Sequence, residues 1–271
     1  MPVNVKTFAT IPEAAGALAS ERDARYIGGG TLVMRALNEG DLSIATVVRV
    51  RDHSLGTIRP AGGRVTIGAA VTLAQLLNAR DLAFLHPVAR SIGGPAVRNM
   101  GTVGGNLFAP APFGDLAVAL LALDAMVSVQ GSYGTREMAM EEFLAGRERA
   151  GLVISVSCTR PASPEAFRYR KVSRVKPKGA SVISLAVHVP QSSGRVNGAR
   201  IAYGAMAPTA IRAKAAERAL EGRSLDEAGI AAAVAVAAEG TSPATDPIAS
   251  TWYRREVVGV HLRRLLLGQD T

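Results

Sequence analysis

Ile27-Gly28-Gly29-Gly30-Thr31-Leu32 follows a short strand-like run, Arg25 to Ile27, and precedes an amphipathic segment through Leu32, Met34 and Leu37. The order reads as strand, glycine turn and helix, with Thr31 as the expected helix cap. Glycines let backbone N–H groups approach a phosphate, and a helix start favours its charge. The same glycines also suit a plain tight turn. The spacing is neither the GxGxxG of a Rossmann unit nor a P-loop, because no Lys-Ser/Thr pair follows. A second glycine stretch, Gly101-Thr102-Val103-Gly104-Gly105-Asn106, opens a Pro-rich run that ends at Gly114-Asp115. Asp115 either accepts hydrogen bonds from ribose hydroxyls or caps the apolar helix expected over Leu116 to Leu123. Two such loops in one domain favour the cradling of a diphosphate over two unrelated turns.

Outside these loops the first half alternates helix and strand. Helices are expected over Ile11 to Ser20, Thr72 to Ala79 and Leu82 to Ser91, and strands over Thr46 to Val50, Arg64 to Ala70 and Ala125 to Val129. The stretch from Gly93 to Gly114 reads as a long irregular loop, a feature usually kept for function. Leu152 to Cys158 alternates apolar residues like a strand and buries Cys158. Pro161 to Glu165 reads as a linker. Strands are then expected over Phe167 to Val172, Ser181 to Val189 and Gly198 to Tyr203, with helices over Ile211 to Glu221, Leu225 to Glu239 and Ser250 to Leu267. Strands first and helices after give an α+β second domain. The division is 1–160 and 166–271.

The chain of 271 residues has 48% hydrophobic and 20% charged residues, with no transmembrane run and no secretory signal in its first residues, so a cytoplasmic location is expected. One cysteine cannot form an internal disulfide or hold an iron–sulfur cluster, which takes about four thiolates. The four histidines, His53, His86, His188 and His261, lack ligand spacing. Any redox role therefore needs an organic cofactor or a partner's clusters. The net charge of +9 is concentrated beyond residue 159, where 17 Lys/Arg face 9 Asp/Glu. Such a face attracts an acidic partner or a phosphorylated cofactor. With aromatics at 4% and not interleaved with the basic residues, it does not suit nucleic acid. No Ser-His-Asp set or carboxylate pair suggests catalysis by side chains.

Gly28-Gly29-Gly30-Thr31, Arg98-Asn99-Met100-Gly101-Thr102-Val103-Gly104-Gly105-Asn106, Gly114-Asp115 and Ala119 to Ala125 together resemble the FAD-binding medium subunit of the xanthine dehydrogenase and carbon monoxide dehydrogenase family. The second half is similar too, in Phe167 to Val172, in Tyr203-Gly204-Ala205-Met206-Ala207-Pro208-Thr209 with Arg212, and in Asp246 with Ser250, Tyr253, Arg254 and Arg255. The resemblance spans nearly the whole chain. It implies a PCMH-type FAD-binding domain of two α/β subdomains, followed by a C-terminal antiparallel sheet with helices. It further implies non-covalent FAD. The pyrophosphate would lie on the first loop, Ile27, Gly28, Gly29, Gly30, Thr31, Leu32 and Val33, and on the second, Gly101, Thr102, Gly104, Gly105 and Asn106. Asp115 and Lys171 would sit at the cofactor. Ile92 falls where some relatives place an aromatic beside the isoalloxazine, and Val153 where they place an apolar contact. Leu32 departs from the polar residue often found at its position. By residue type alone, Lys171 also reads as a solvated member of the basic run Arg168 to Lys178.

The resemblance also implies a heteromeric molybdenum hydroxylase, an oxidoreductase of which this chain is one part. A large partner would carry the molybdenum cofactor, and a small partner would carry two 2Fe–2S clusters that feed electrons to FAD. From there they would reach NAD, a quinone, a cytochrome or oxygen. A stand-alone FAD oxidoreductase and a flavin-less structural subunit are the alternatives. The +8 balance of residues 160–271 raises a further expectation, that this half docks an acidic partner or stabilises reduced flavin, while Arg254 and Arg255 themselves read first as residues of structure or subunit contact.

Overall fold

The computed structural model describes residues 3–175 and 179–269. The N-terminal part contains a three-stranded parallel sheet in which Thr46–Val50 lies between Asn4–Phe8 and Ala24–Tyr26. Helix Ile11–Ser20 covers it, started by a capping box in which Thr10 Oγ1 accepts from the Glu13 N–H and the Glu13 carboxylate from the Thr10 N–H. Parallel neighbours need such a crossover, which explains why helix and strand alternate here.

A five-stranded antiparallel sheet follows, in the order Ile58–Ala61, Arg64–Gly68, Leu152–Thr159, Met126–Gly131, Gly134–Ala139. Its inward residues, among them Val65, Ile67, Val127, Val129, Val156 and Cys158, form the main core with Leu73, Leu76, Val88 and helix Asp115–Ala122. That helix is buried at all eight positions. A helix apolar all round must be covered on all sides. Its second cover is the C-terminal sheet, a four-stranded antiparallel sheet in the order Ile211–Arg212, Arg200–Gly204, Ser181–His188, Phe167–Ser173.

Alternation along Ser181–His188 sends Ile183, Leu185 and Val187 into the core shared with helices Lys214–Leu220, Glu227–Ala235 and Thr251–Leu266, while Ala186 faces the core of the central helix. Small residues permit the close approach on that second face. A Cβ on Gly204 would lie 2.7 Å from Val118 Cγ2. The two parts of the chain are thus joined through the Asp115–Ala122 helix.

Several elements differ from expectation. The helix after the first glycine loop is Val33–Asn38, and Leu32 at its cap position makes no side-chain hydrogen bond, so Thr31 is not the cap. Residues 93–114 are not one irregular loop but contain helices Pro95–Met100 and Val103–Asn106. Leu82 to Ser91 is split into a 3-10 segment, Arg80–Leu85, and helix His86–Ser91. Ile211–Arg212 is an edge strand rather than the start of a helix, because it pairs with Ala202 and Tyr203. The strand Gly134–Ala139 and helix Met140–Gly146 carry too little periodicity to be read from sequence.

Candidate functional site

Strand Ala24–Tyr26 ends its ladder when the Ile27 N–H donates to Val48 O at 2.9 Å. From Gly28 through Val33 the backbone N–H groups then donate to no acceptor among the described residues, and the run closes only when the Met34 N–H reaches Gly30 O. Gly30 holds φ +75, a left-handed conformation that favours glycine. Gly29 is glycine for a different reason: a Cβ there would lie 1.6 Å from Met100 O. A Cβ on Gly28 would lie 2.8 Å from Thr102 Oγ1. The first loop is therefore pressed against the second and leaves a half-buried run of unsatisfied donors, the arrangement that binds anionic oxygens.

The second loop is built differently. Thr102 caps helix Val103–Asn106, its Oγ1 accepting from the Gly105 N–H at 3.1 Å. The N–H groups of Val103 and Gly104 donate to Val71 O and Ala69 O, and that of Asn106 to Thr102 O. A Cβ on Gly104 would lie 2.8 Å from that of Ala69. Glycine here serves close packing, and these amides are already committed. Thr102, Gly104, Gly105 and Asn106 thus form the wall behind the first loop. Gly101 lies in the same wall, where a Cβ would stand 3.6 Å from Thr31 Oγ1. Asn106 Oδ1 accepts from the Leu116 N–H at 3.3 Å and ties this wall to the central helix.

Gly114, at φ +90, occupies the cap position of that helix, so Asp115 is its first residue and not its side-chain cap. The Asp115 carboxylate, 4% exposed, accepts from Lys171 Nζ at 2.7 Å and from Ser181 Oγ at 2.8 Å. Lys171 Nζ also donates to Ser91 O at 3.1 Å. Lys171 is consequently a buried cross-link between domains and not a solvated lysine; residues 176–178 of its basic run lie outside the described residues. Two residues earlier on the same strand face, the Tyr169 hydroxyl lies 3.2 Å from Ser91 Oγ. Burial first, and then the Asp115 carboxylate, pushes the Tyr169 phenol well above its ordinary pKa, so it stays protonated. Ser91 Oγ also lies 2.7 Å from Val88 O, so its hydroxyl joins the helix end to the Tyr169 hydroxyl.

Ile92 follows Ser91, is half-buried and packs against the main core. Arg98 Nη1 donates to both Ile92 O and Gly93 O and closes this turn. Val153 lies in strand Leu152–Thr159 opposite Val129 and is 4% exposed, so it offers little surface to a ligand. Arg254 is 1% exposed, held by Asp246, Val182 O and Ala249 O. Its burial gives it the structural role expected for it rather than a place on a docking face; Arg255 is exposed. Among the described residues no group of three His, Cys, Asp or Glu is placed to hold a metal ion, and no helix is long and apolar enough to cross a membrane.

Residues 2–157 match the family described as FAD binding domain in molybdopterin dehydrogenase, and residues 168–268 match the CO dehydrogenase flavoprotein C-terminal domain. The chain belongs to the FAD-binding molybdopterin dehydrogenase family. It is 30% identical to the carbon monoxide dehydrogenase medium chain of Afipia carboxidovorans over 89% of this chain and 87% of that one. It is 27% identical to the putative xanthine dehydrogenase FAD-binding subunit of Escherichia coli K12, over 95% and 92%. A chain in the solved structure of a carbon monoxide dehydrogenase from Hydrogenophaga pseudoflava that lacks the Mo-pyranopterin moiety of its cofactor superposes with a TM-score of 0.91 at 26% identity, covering 98% of this chain and 96% of that chain. The α+β architecture of a PCMH-type FAD-binding domain and a CO dehydrogenase flavoprotein C-terminal domain is thereby established, as is membership among oxidoreductase subunits that bind FAD. The donor run and the close-packed glycines of the first loop fit the diphosphate of that cofactor.

Three parts of the site were not anticipated from sequence. Tyr169 and Lys171 share one face by strand alternation, which is legible, but their meeting with Ser91 is not. Ser181 carries no local signal, and Arg98 stands in the glycine-loop motif without any sign of its bond to the Ile92-Gly93 turn.

Proposed function

We propose that this chain is the FAD-binding electron-transfer subunit of a heteromeric molybdenum hydroxylase. The observation that carries the site is the run of uncommitted N–H groups from Gly28 to Val33, which would hold the FAD pyrophosphate. Ile27 ends the strand that presents them, and Thr31 and Leu32 flank them. Gly101, Thr102, Gly104, Gly105 and Asn106 would fix the facing wall, with Asp115 and Lys171 holding it to the C-terminal domain. Ile92, at its half-buried turn, is the proposed apolar neighbour of the flavin, whereas Val153, at 4% exposure, would serve the site only as part of the core.

The bound cofactor would supply electron exchange between one-electron clusters and an external acceptor. The residues of this chain bind and orient it and need supply no general acid or base. A small 2Fe–2S subunit and a large molybdenum subunit are the proposed partners, supported by relatives named as medium chains of carbon monoxide dehydrogenases. A cytoplasmic location and domains at 1–160 and 166–271 go with this reading, the latter near the family matches. The test is the absorbance spectrum of the purified chain, followed by chromatography of cofactor released on denaturation. Released FAD supports the site. A chain that stays colourless with added FAD supports the flavin-less alternative, and turnover without partners supports the stand-alone one.

A further inference from the structure

The nest of free N–H groups lies in the first domain, yet its walls are tied to the second. Tyr169 and Lys171, two apart on strand Phe167–Ser173, present the same face, and both reach Ser91. Ser91 ends helix His86–Ser91 and leads through Ile92-Gly93-Gly94 into helix Pro95–Met100. None of the six residues of that second helix is buried, and although the helix lies beside helix Leu73–Asn78, its two ends carry contacts that bear on the site. One end is the turn closed by Arg98; the other is Met100 O, against which Gly29 is packed so closely that no Cβ fits. A rotation at Ser91 would therefore move the carbonyl that backs the glycine loop.

We propose that the Tyr169 hydroxyl is a positioning group for the FAD site, holding Ser91 and through it the helix that backs Gly29. The proposal rests on the reading of the Gly28–Val33 run as the phosphate site. It assigns the C-terminal domain a part in cofactor affinity that its distance along the chain from the glycine loops does not suggest. The Tyr169 and Ser91 hydroxyls share a hydrogen bond of 3.2 Å, and Lys171 Nζ fixes the Ser91 carbonyl beside it at 3.1 Å. The two contacts define both the side chain and the backbone of Ser91.

The experiment is FAD titration of the full-length chain and of Tyr169→Phe, which keeps the ring and removes only the hydroxyl. FAD affinity is expected to fall about fivefold, the worth of one neutral hydrogen bond, with a shifted visible flavin band. Ser91→Ala should give the same loss, and the double variant should lose no more than either single one. Tyr133→Phe, at a fully exposed tyrosine, controls for general effects. Unchanged affinity and an unchanged flavin spectrum in Tyr169→Phe would overturn the inference alone. Additive losses in the double variant would do so too, because they place the two groups in separate roles. If the wild-type chain binds no FAD, the phosphate-site reading itself falls, and this inference with it.

Discussion

Lys171 Nζ stands 2.7 Å from Asp115 Oδ2, although the lysine belongs to the first strand of the C-terminal domain and the aspartate opens the central helix of the FAD-binding domain. Both side chains are removed from solvent, so each charge depends on the other. Removing one partner of such a pair strands a buried charge and costs roughly 3–5 kcal/mol. Lys171→Met is therefore expected to lower the urea midpoint strongly. Lys171→Met with Asp115→Asn should cost clearly less than the sum of the two single variants, because no unpaired charge remains. A double-mutant cycle in urea measures this, and additive losses would show that the pair is not coupled.

Gly29→Ala places a methyl on top of a backbone carbonyl, since the Cβ would lie 1.6 Å from Met100 O. The loop or the Pro95–Met100 helix must shift, and FAD affinity should drop at least about tenfold, equivalent to roughly 1.4 kcal/mol. Gly16 is the contrasting case. It is exposed in helix Ile11–Ser20 with nothing within 4 Å of an added methyl, so Gly16→Ala should stabilise the chain by up to about 1 kcal/mol. FAD titration and thermal melting of both variants separate the two meanings of glycine.

That contrast also marks what was legible in the sequence. The three glycines at 28–30 announce a turn, but the donor run differs from the second loop only because Thr102, Ala69 and Val71 consume the amides there. Those acceptors lie outside the local pattern, so the two glycine loops look alike until the chain is folded. Elements with strong local signals, such as Ile11–Ser20 with its capping box and the apolar Ser181–His188 strand, fall within a residue or so of expectation. Ile211–Arg212 misled because its apolar start suits a helix, whereas pairing with Ala202 and Tyr203 makes it a strand. Lys171 looked solvated beside so many basic neighbours. Only the approach of Asp115, 56 residues away in the chain, shows why a lysine is needed.

Arg254 and Arg255 are adjacent and chemically alike, yet opposite consequences are expected. Arg254 binds Asp246 through both carboxylate oxygens, at 3.0 and 2.9 Å, and gives its Nε to Val182 O at 2.8 Å. Arg254→Leu should cost about 3–5 kcal/mol, because it leaves Asp246 and these carbonyls short of a donor. Arg255 is exposed, and Arg255→Glu should stay within about 0.5 kcal/mol. Urea denaturation checks both. Co-purification of Arg255→Glu with the partner subunits then asks whether that residue contributes to docking, free of any folding defect.

His261 lies in helix Thr251–Leu266 with its Nδ1 buried and without a hydrogen-bond partner among the described residues. Burial, and then the nearby Arg170 and Arg264, pull its pKa down to about 4. The unfolded chain takes up this proton near pH 6.5, so between about 6.5 and about 4 the unfolded state binds more protons than the folded one. Stability is thus intact above that interval and is lost as pH falls through it. Because part of the ring reaches solvent, the loss should be on the order of 1–2 kcal/mol, below the full value of the shift. Unfolding free energies at about pH 7 and about pH 5 should fall more for the wild type than for His261→Leu, which lacks the titrating group. The carboxylates contribute equally to both proteins and cancel in the difference. Equal falls in the two proteins would mean that His261 takes up its proton in the folded chain as readily as in the unfolded one.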